Sequence, residues 1–245
     1  MIDDFRTRAA LDRVAATHGL DEAQTEALGD YVQLLLGWRR ANVTGLTDPV
    51  AVVDTLIGDS LALLTVPQLL EREEGAWLDL GAGAGIPGIP LAVALPAVRI
   101  TLLDAVAKKC AFLEEALRAS GLSARAQVMC ARSERYAAAS SPGREAHCVV
   151  LARAVAELSV LVELAAPLLA DDGVLLASKT RPALEKECAA AVTAGERCGL
   201  TPEPSVPLSA SPLDDAVCAV FRKTAPAGDW LPRREGVAAK RPLGV

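Results

Sequence analysis

The chain has 245 residues, of which 51% are hydrophobic, 23% charged and only 3% aromatic. That composition suits a globular fold with a sizeable core of small aliphatic side chains and excludes a fibrous or disordered chain. The net charge of −6 argues against a surface coated evenly for nucleic acid. Residues 222–245, however, carry six basic side chains against Asp229 and Glu235, a local +4 that leaves −10 for the rest.

The first residues, Met-Ile-Asp-Asp, lack the basic segment and apolar run of a secretory leader, so export is not expected. The most apolar stretch, Val149 to Ala170, is broken by Arg153, Glu157 and Glu163, and no membrane span is expected. Cys110, Cys130, Cys148, Cys188, Cys198 and Cys218 form no C-x-x-C pair and read as reduced core residues of a cytosolic protein. With only His18 and His147 available, neither a metal centre nor a Ser-His-Asp triad is expected.

Helical apolar spacing covers 3–17 and 21–40, with Gly19 between them after His18. Asp48 and Pro49 read as a cap and a first-turn proline, and a further helix is predicted over 59–70. From Ala76 onward short apolar runs alternate with helical stretches. Strands are predicted at 76–80, 99–103, 126–130, 148–152, 173–178 and 216–222, with helices near 88–95, 105–120, 157–170 and 183–198. The alternation predicts an α/β fold with a doubly wound, mostly parallel sheet covered on both faces. Thr201–Pro212, holding four prolines, is expected as a connection or an edge region. The expected division is a helical N-terminal extension over 1–70, an α/β domain over 71–224 and a basic tail over 225–245.

The central motif is Trp77-Leu78-Asp79-Leu80-Gly81-Ala82-Gly83-Ala84-Gly85-Ile86-Pro87-Gly88, a strand running into a glycine loop and then a helix. Glycines at 81, 83 and 85 let the backbone turn tightly and approach a ligand. Asp104 closes the second strand, where a carboxylate can accept from both hydroxyls of a ribose; it also suits the cap of a helix starting near Ala105. The spacing is G-x-G-x-G, not the dinucleotide G-x-G-x-x-G, and Asp79 is placed for an ammonium, directly or through water. S-adenosylmethionine, which has an ammonium and a ribose but no pyrophosphate, therefore ranks above NAD. After the third strand, Ala131-Arg132-Ser133-Glu134 borders the adenine in this topology: Ser133 offers its N–H and Glu134 an acceptor. A charged helix start is the alternative.

These residues resemble the bacterial small-subunit ribosomal RNA guanine-N7 methyltransferases, also called glucose-inhibited division protein B. The likeness covers nearly the whole chain. It runs through Asn42-Val43-Thr44, Gly58-Asp59-Ser60-Leu61 and the loop with its Gly-Ile-Pro-Gly-Ile-Pro-Leu extension. It continues through Leu103-Asp104-Ala105, Lys108-Lys109, Phe112-Leu113, Ala131–Glu134, Ala152–Ala156, Lys179 and the tail from Pro232 to Leu243. The chain departs from the family pattern at Leu56, in place of a His, and at Cys148, in place of an Asp. The resemblance implies a class I S-adenosylmethionine-dependent, Rossmann-like methyltransferase fold. It puts cofactor contacts at Gly81, Ile86, Ser133, Glu134 and Arg153, with Asp104 and Ala105 beside the ribose and adenine. Arg153 is expected to touch cofactor or target nucleotide as a positioning group; its alternative is an internal ion pair.

Methyl transfer to guanine N7, which bears a lone pair and no proton, needs no general base, so few histidines are no obstacle. The expected partner is small-subunit ribosomal RNA or the 30S subunit, met by a cytoplasmic monomer through phosphate contacts from Arg233, Arg234, Lys240 and Arg241. On charge alone the tail also reads as a solvated segment. Two rivals stay open: another methyl acceptor, and a noncatalytic RNA-binding module retaining the loop. Against the first, Leu151-Ala152-Arg153-Ala154 stands where an amide-methylating Asn-Pro-Pro-Tyr-like motif would lie.

Overall fold

A computed structural model describes residues 4–244. The chain opens with α1 (Phe5–His18), whose first turn is capped by the Asp4 carboxylate and whose end is set by Gly19 at φ 68°. Next, α2 (Glu22–Gly37) begins with a capping box in which Asp21 and Gln24 satisfy each other's backbone N–H. Asp48 caps α3 (Pro49–Val52), accepting from the Ala51 N–H at 2.8 Å, as the Asp-Pro pair predicts.

The single helix expected over 59–70 is instead a series of short turns. A π-turn (Val53–Gly58) leads into α4 (Asp59–Leu61), a 3-10 turn (Ala62–Thr65) and α5 (Pro67–Leu70). Pro67 has no N–H and holds Val66 in an extended conformation, while the Ser60 hydroxyl donates back to the Leu56 carbonyl at 2.5 Å.

The sheet contains β1 (Gly75–Leu80), β2 (Val98–Asp104), β3 (Ala126–Cys130), β4 (His147–Arg153), β5 (Leu169–Thr180), β6 (Leu200–Pro207) and β7 (Ala216–Lys223). Their order is β3-β2-β1-β4-β5-β7-β6, parallel except for the antiparallel β7. The proline-rich stretch is the outermost strand, β6, where missing N–H groups and a register shift between Glu203 and Val206 cost the sheet little. Between strands lie α6 (Gly88–Ala94), α7 (Ala107–Ala119), α8 (Ser133–Tyr136), α9 (Leu158–Ala165) and α10 (Arg181–Cys198); α11 (Val237–Lys240) follows the last strand. The helix expected over 157–170 stops at Ala165 because Leu169 already pairs with His147 in the sheet.

Strand alternation divides the interior. On one face Trp77, Ile89 and Phe112 pack with Leu11, Leu28 and Tyr31 of the N-terminal helices. On the other, Leu78, Leu80, Val150, Leu161 and Phe221 pack together with Leu231 and Leu243. The basic tail is thus not a solvated segment. Strand order reverses between β1 and β4, and a crevice at the carboxyl ends of these strands is where open α/β sheets bind ligands.

Three of the six cysteines, Cys110, Cys198 and Cys218, are buried as expected, but Cys130 and Cys188 are exposed and Cys148 is half-buried. Cys188 departs from expectation because it occupies the outer side of α10, whose apolar contacts are made by Ala191, Ala194 and Cys198. Cys130 departs because β3 is an edge strand. Among the described residues no helix is long and apolar enough to cross a membrane, and no cluster is suited to a metal ion.

Candidate active site

The loop after β1 turns three times into the left-handed region, at Gly81 (φ 72°), Gly83 (φ 56°) and Gly85 (φ 84°), which is why glycine stands at each position. Gly81 also lies against Val155, whose methyl would sit 2.8 Å from an added Cβ. At Gly83 the nearest atom to an added Cβ is the Gly81 carbonyl, 3.7 Å away, so space opens above the loop. The loop is tied to β2: Gly81 and Ala82 donate to the Leu103 carbonyl at 2.8 and 3.0 Å.

A cavity of about 200 Å³ lies beside this loop. Gly81, Asp104, Ala105, Ser133 and Glu134, all singled out from the sequence, line it together with Arg132. Asp104 accepts from the Gly83 N–H at 3.0 Å through one oxygen and from the Val106 N–H at 2.8 Å through the other. It does not cap α7, which starts at Ala107 after Val106; its second bond is a local turn that aims the carboxylate at the cavity. A carboxylate has about four acceptor sites, so two remain for a diol.

Apolar groups complete the walls: Leu103, Ala131, Val160 and Leu164, with Val155 leaning over Gly81. Val155 is held there by Ala154, which takes a positive φ of 55° that a non-glycine residue rarely adopts. Sequence patterning carries no signal for that strain. The wall also contains Gly236, Ala238 and Ala239 from the tail, and the Gly236 N–H donates to the Glu134 carboxylate at 2.8 Å. Small residues in a basic tail gave no hint of this role.

Asp79, Gly83, Gly85 and Ile86 do not line the cavity but support it. Asp79 is fully buried and accepts from the Gly88 N–H at 2.9 Å; its Oδ1 has no hydrogen-bond partner among the described residues. Burial pushes its pKa up to about 7 against the opposing Gly88 bond, and the Asp104 charge adds to the rise. Ile86 is buried behind the turn.

A family model described as rRNA small subunit methyltransferase G matches residues 24–201. The chain belongs to this family. The relative of that name from Rubrobacter xylanophilus is 37% identical over 224 residues, covering 90% of this chain and 84% of the relative. The one from Deinococcus radiodurans is 38% identical over 253 residues, covering 99% and 96%. Two solved structures share the fold. TYW2 from P. horikoshii, crystallised with MeSAdo, has a TM-score of 0.52 at 13% identity, covering 68% of this chain and 62% of that one. Atu636 from Agrobacterium tumefaciens, described as a predicted O-methyltransferase, has a TM-score of 0.51 at 19% identity, covering 69% and 81%. The architecture is that of the class I S-adenosylmethionine-dependent methyltransferases.

Within this rRNA small subunit methyltransferase G family chain, Arg153 makes the internal ion pair. Its Nε donates to Asp59 Oδ2 at 2.8 Å and its Nη2 to the Thr55 carbonyl at 3.2 Å, tying the end of β4 to the N-terminal helices. Ser211 donates to the other Asp59 oxygen at 2.5 Å. The Arg153 side chain faces this pair and does not line the cavity. Lys179 likewise bonds Glu187 and the Ala156 carbonyl, each at 2.8 Å, steadying the loop that carries Val155.

In the tail, Arg233 makes a two-pronged bond to Glu163, whose side chain is only 2% exposed, and also donates to the Arg241 carbonyl. Among the described residues Arg234, Lys240 and Arg241 have no acidic side-chain partner, and all three are exposed. Leu56 is buried in the core beside the N-terminal helices, whereas the half-buried Cys148 packs under Gly75 with its Sγ donating to the Ala76 carbonyl at 3.3 Å.

Proposed function

We propose that this protein transfers a methyl group from S-adenosylmethionine to N7 of a guanine in 16S ribosomal RNA, acting as a cytoplasmic monomer on the RNA or the small subunit. The observation that carries the reading is the convergence of a three-glycine turn, the Asp104 carboxylate and the Ser133–Glu134 turn on one cavity in a chain of this family.

The residues fit the cofactor. Asp104 retains acceptor sites for a ribose diol, Ala105, Val160 and Leu164 offer apolar contact to a base, and Glu134 accepts from an exocyclic amine. Above Gly83 the backbone leaves room for the amino acid end, and the orphaned Asp79 oxygen beneath supplies negative charge for an ammonium. When bound, the cofactor supplies an electrophilic methyl carried on sulfur. Guanine N7 has an exposed lone pair, so this chain's residues need only orient the reactants and exclude water. Asp104 and Glu134 fix the donor end, and the wall of Val155 keeps solvent from the loop. Arg153 acts as a positioning residue through Asp59, and Arg234, Lys240 and Arg241 supply phosphate contacts.

The test is methyl transfer from labelled cofactor to deproteinised 16S RNA and to isolated small subunits, followed by chemical cleavage at N7-methylguanosine. Label at one guanine, lost in the Asp104→Ala variant, is expected. Transfer only to protein or small molecules would refute the acceptor, and failure to bind the cofactor in equilibrium dialysis would favour a noncatalytic RNA-binding module.

A further inference from the structure

The segment 38–47, which carries Asn42-Val43-Thr44, is not used by the cofactor cleft. Its position follows from its two anchors. At one end Trp38 packs edge-on against Phe112 of α7, with ring centroids 5.4 Å apart, and the Arg40 guanidinium lies over the indole at 5.4 Å. At the other end, the turns after Pro49 are held to the carboxyl end of β4 by Arg153 through Thr55 and Asp59. Just before the first anchor, α2 is tied to the glycine loop itself, the Tyr31 hydroxyl donating to the Ala84 carbonyl at 2.6 Å. Gln24, at the start of α2, bonds carbonyls at the far end of α6, so α2 climbs toward the carboxyl ends of the strands as it approaches Trp38. The segment therefore crosses on the side of the loop opposite Ser133 and Glu134.

Under it lies a cavity of about 220 Å³ lined by Trp38, Arg39, Asn42, Thr44 and Thr47 among apolar neighbours. This is below the ~300–1,000 Å³ of sites for drug-sized ligands and suits one heteroaromatic base with its sugar and phosphate outside. The Trp38 Nε1–H is buried and has no hydrogen-bond partner among the described residues, an expensive vacancy unless a ligand fills it. An indole N–H only donates. Guanine presents O6 as an acceptor beside N7, whereas adenine presents an amino donor at that position, which a second donor rejects.

We infer that the hollow under residues 38–47 receives the methyl-accepting guanine, extruded from the RNA, and that Trp38 Nε1–H reads its O6. The inference rests on the function proposed above and adds the acceptor subsite and its base selectivity. Arg39 and Arg40, exposed on the same segment, sit where the sugar-phosphate chain entering the hollow would pass.

The experiment has two arms, both using the full-length protein. First, the methylated guanine is located, an RNA fragment is made with 6-thioguanosine there, and its complex with wild-type protein and S-adenosylhomocysteine is irradiated. The adduct is expected within residues 38–47. An adduct confined to other segments overturns the inference while leaving methyl transfer standing, and absence of methyl transfer by the wild type overturns both. Second, Trp38→Phe, which keeps a ring against Phe112, is expected to lower kcat at least tenfold, with KM for RNA and cofactor affinity within threefold of wild type. An unchanged kcat in a folded variant overturns the role of the indole N–H. Should that variant not fold, the crosslink on wild-type protein still decides.

Discussion

Two carboxylates at the ends of adjacent strands differ in environment and therefore in behaviour. Asp104 faces the cavity and holds the Gly83 and Val106 N–H groups, so Asp104→Ala removes ligand bonds and slackens the loop together. A loss of about 1–3 kcal/mol in cofactor binding is expected by calorimetric titration. Asp79 is buried, with its pKa raised from 3.8 to about 7. Because the folded value lies above the unfolded one, its contribution to stability is full below about pH 4 and lost as pH rises toward 7. The melting temperature of the cofactor-free protein is therefore expected to fall more between pH 5 and 8 than that of Asp79→Asn, in which the amide oxygen still accepts from Gly88. A cofactor ammonium favours the charged carboxylate, so wild-type affinity should strengthen through pH 7 while that of the variant stays flat. Parallel pH curves for both proteins would remove Asp79 from either role.

At the scale of the element, the loop and α6 separate two kinds of glycine. Gly83 has space around it but a left-handed backbone, so Gly83→Val is expected to fold at a cost of about 1–3 kcal/mol while blocking cofactor. Gly88 has an ordinary backbone but no space: an added Cβ would lie 2.7 Å from Asp79 Oδ2 and 2.8 Å from a Leu102 methyl. Gly88→Ala should therefore lower stability by about 1–3 kcal/mol through overpacking. Thermal melts should show a comparable loss of stability in the two variants, whereas dialysis should separate them, with cofactor binding abolished in Gly83→Val and kept in Gly88→Ala. The pattern Gly-x-Gly-x-Gly announced the turn, but only the packing of α6 on β1 shows that the fourth glycine serves the core.

Across the whole molecule, the tail joins the α/β body to the cofactor cleft. Arg233 neutralises the buried Glu163, the charge that interrupts the apolar run of α9. Arg233→Ala leaves that carboxylate unpaired and is expected to destabilise by about 3–5 kcal/mol, with Arg233→Lys only a partial rescue because the two-pronged geometry is lost. Deleting Pro232–Val245 removes Gly236 from Glu134 as well, so cofactor and RNA affinities should fall together. Arg234→Ala combined with Lys240→Ala, by contrast, should spare cofactor binding and reduce the salt dependence of RNA binding by up to about two slope units. Equal salt slopes for that variant and the wild type would end the phosphate-contact reading of these two residues.

Local chemistry was enough to determine the alternating elements, the caps at Asp48 and Gly19, the glycine turn and the acid ending the second strand. Each depends on neighbours within a few positions, or on an apolar period that the chain carries openly. The proline-rich stretch could likewise be kept out of the sheet's centre, as a connection or an edge region, since proline excludes a central ladder. Arg153, the tail and segment 38–47 were decided only by tertiary structure, because their partners lie far away in sequence. Arg153 finds Asp59 across 94 positions, Arg233 finds Glu163 across 70, and Gly236 finds Glu134 across 102. A basic side chain reads the same in sequence whether it meets a phosphate or a buried carboxylate. Only the fold determines which anion lies within its reach, because burial makes an unpaired charge costly at some positions and harmless at others.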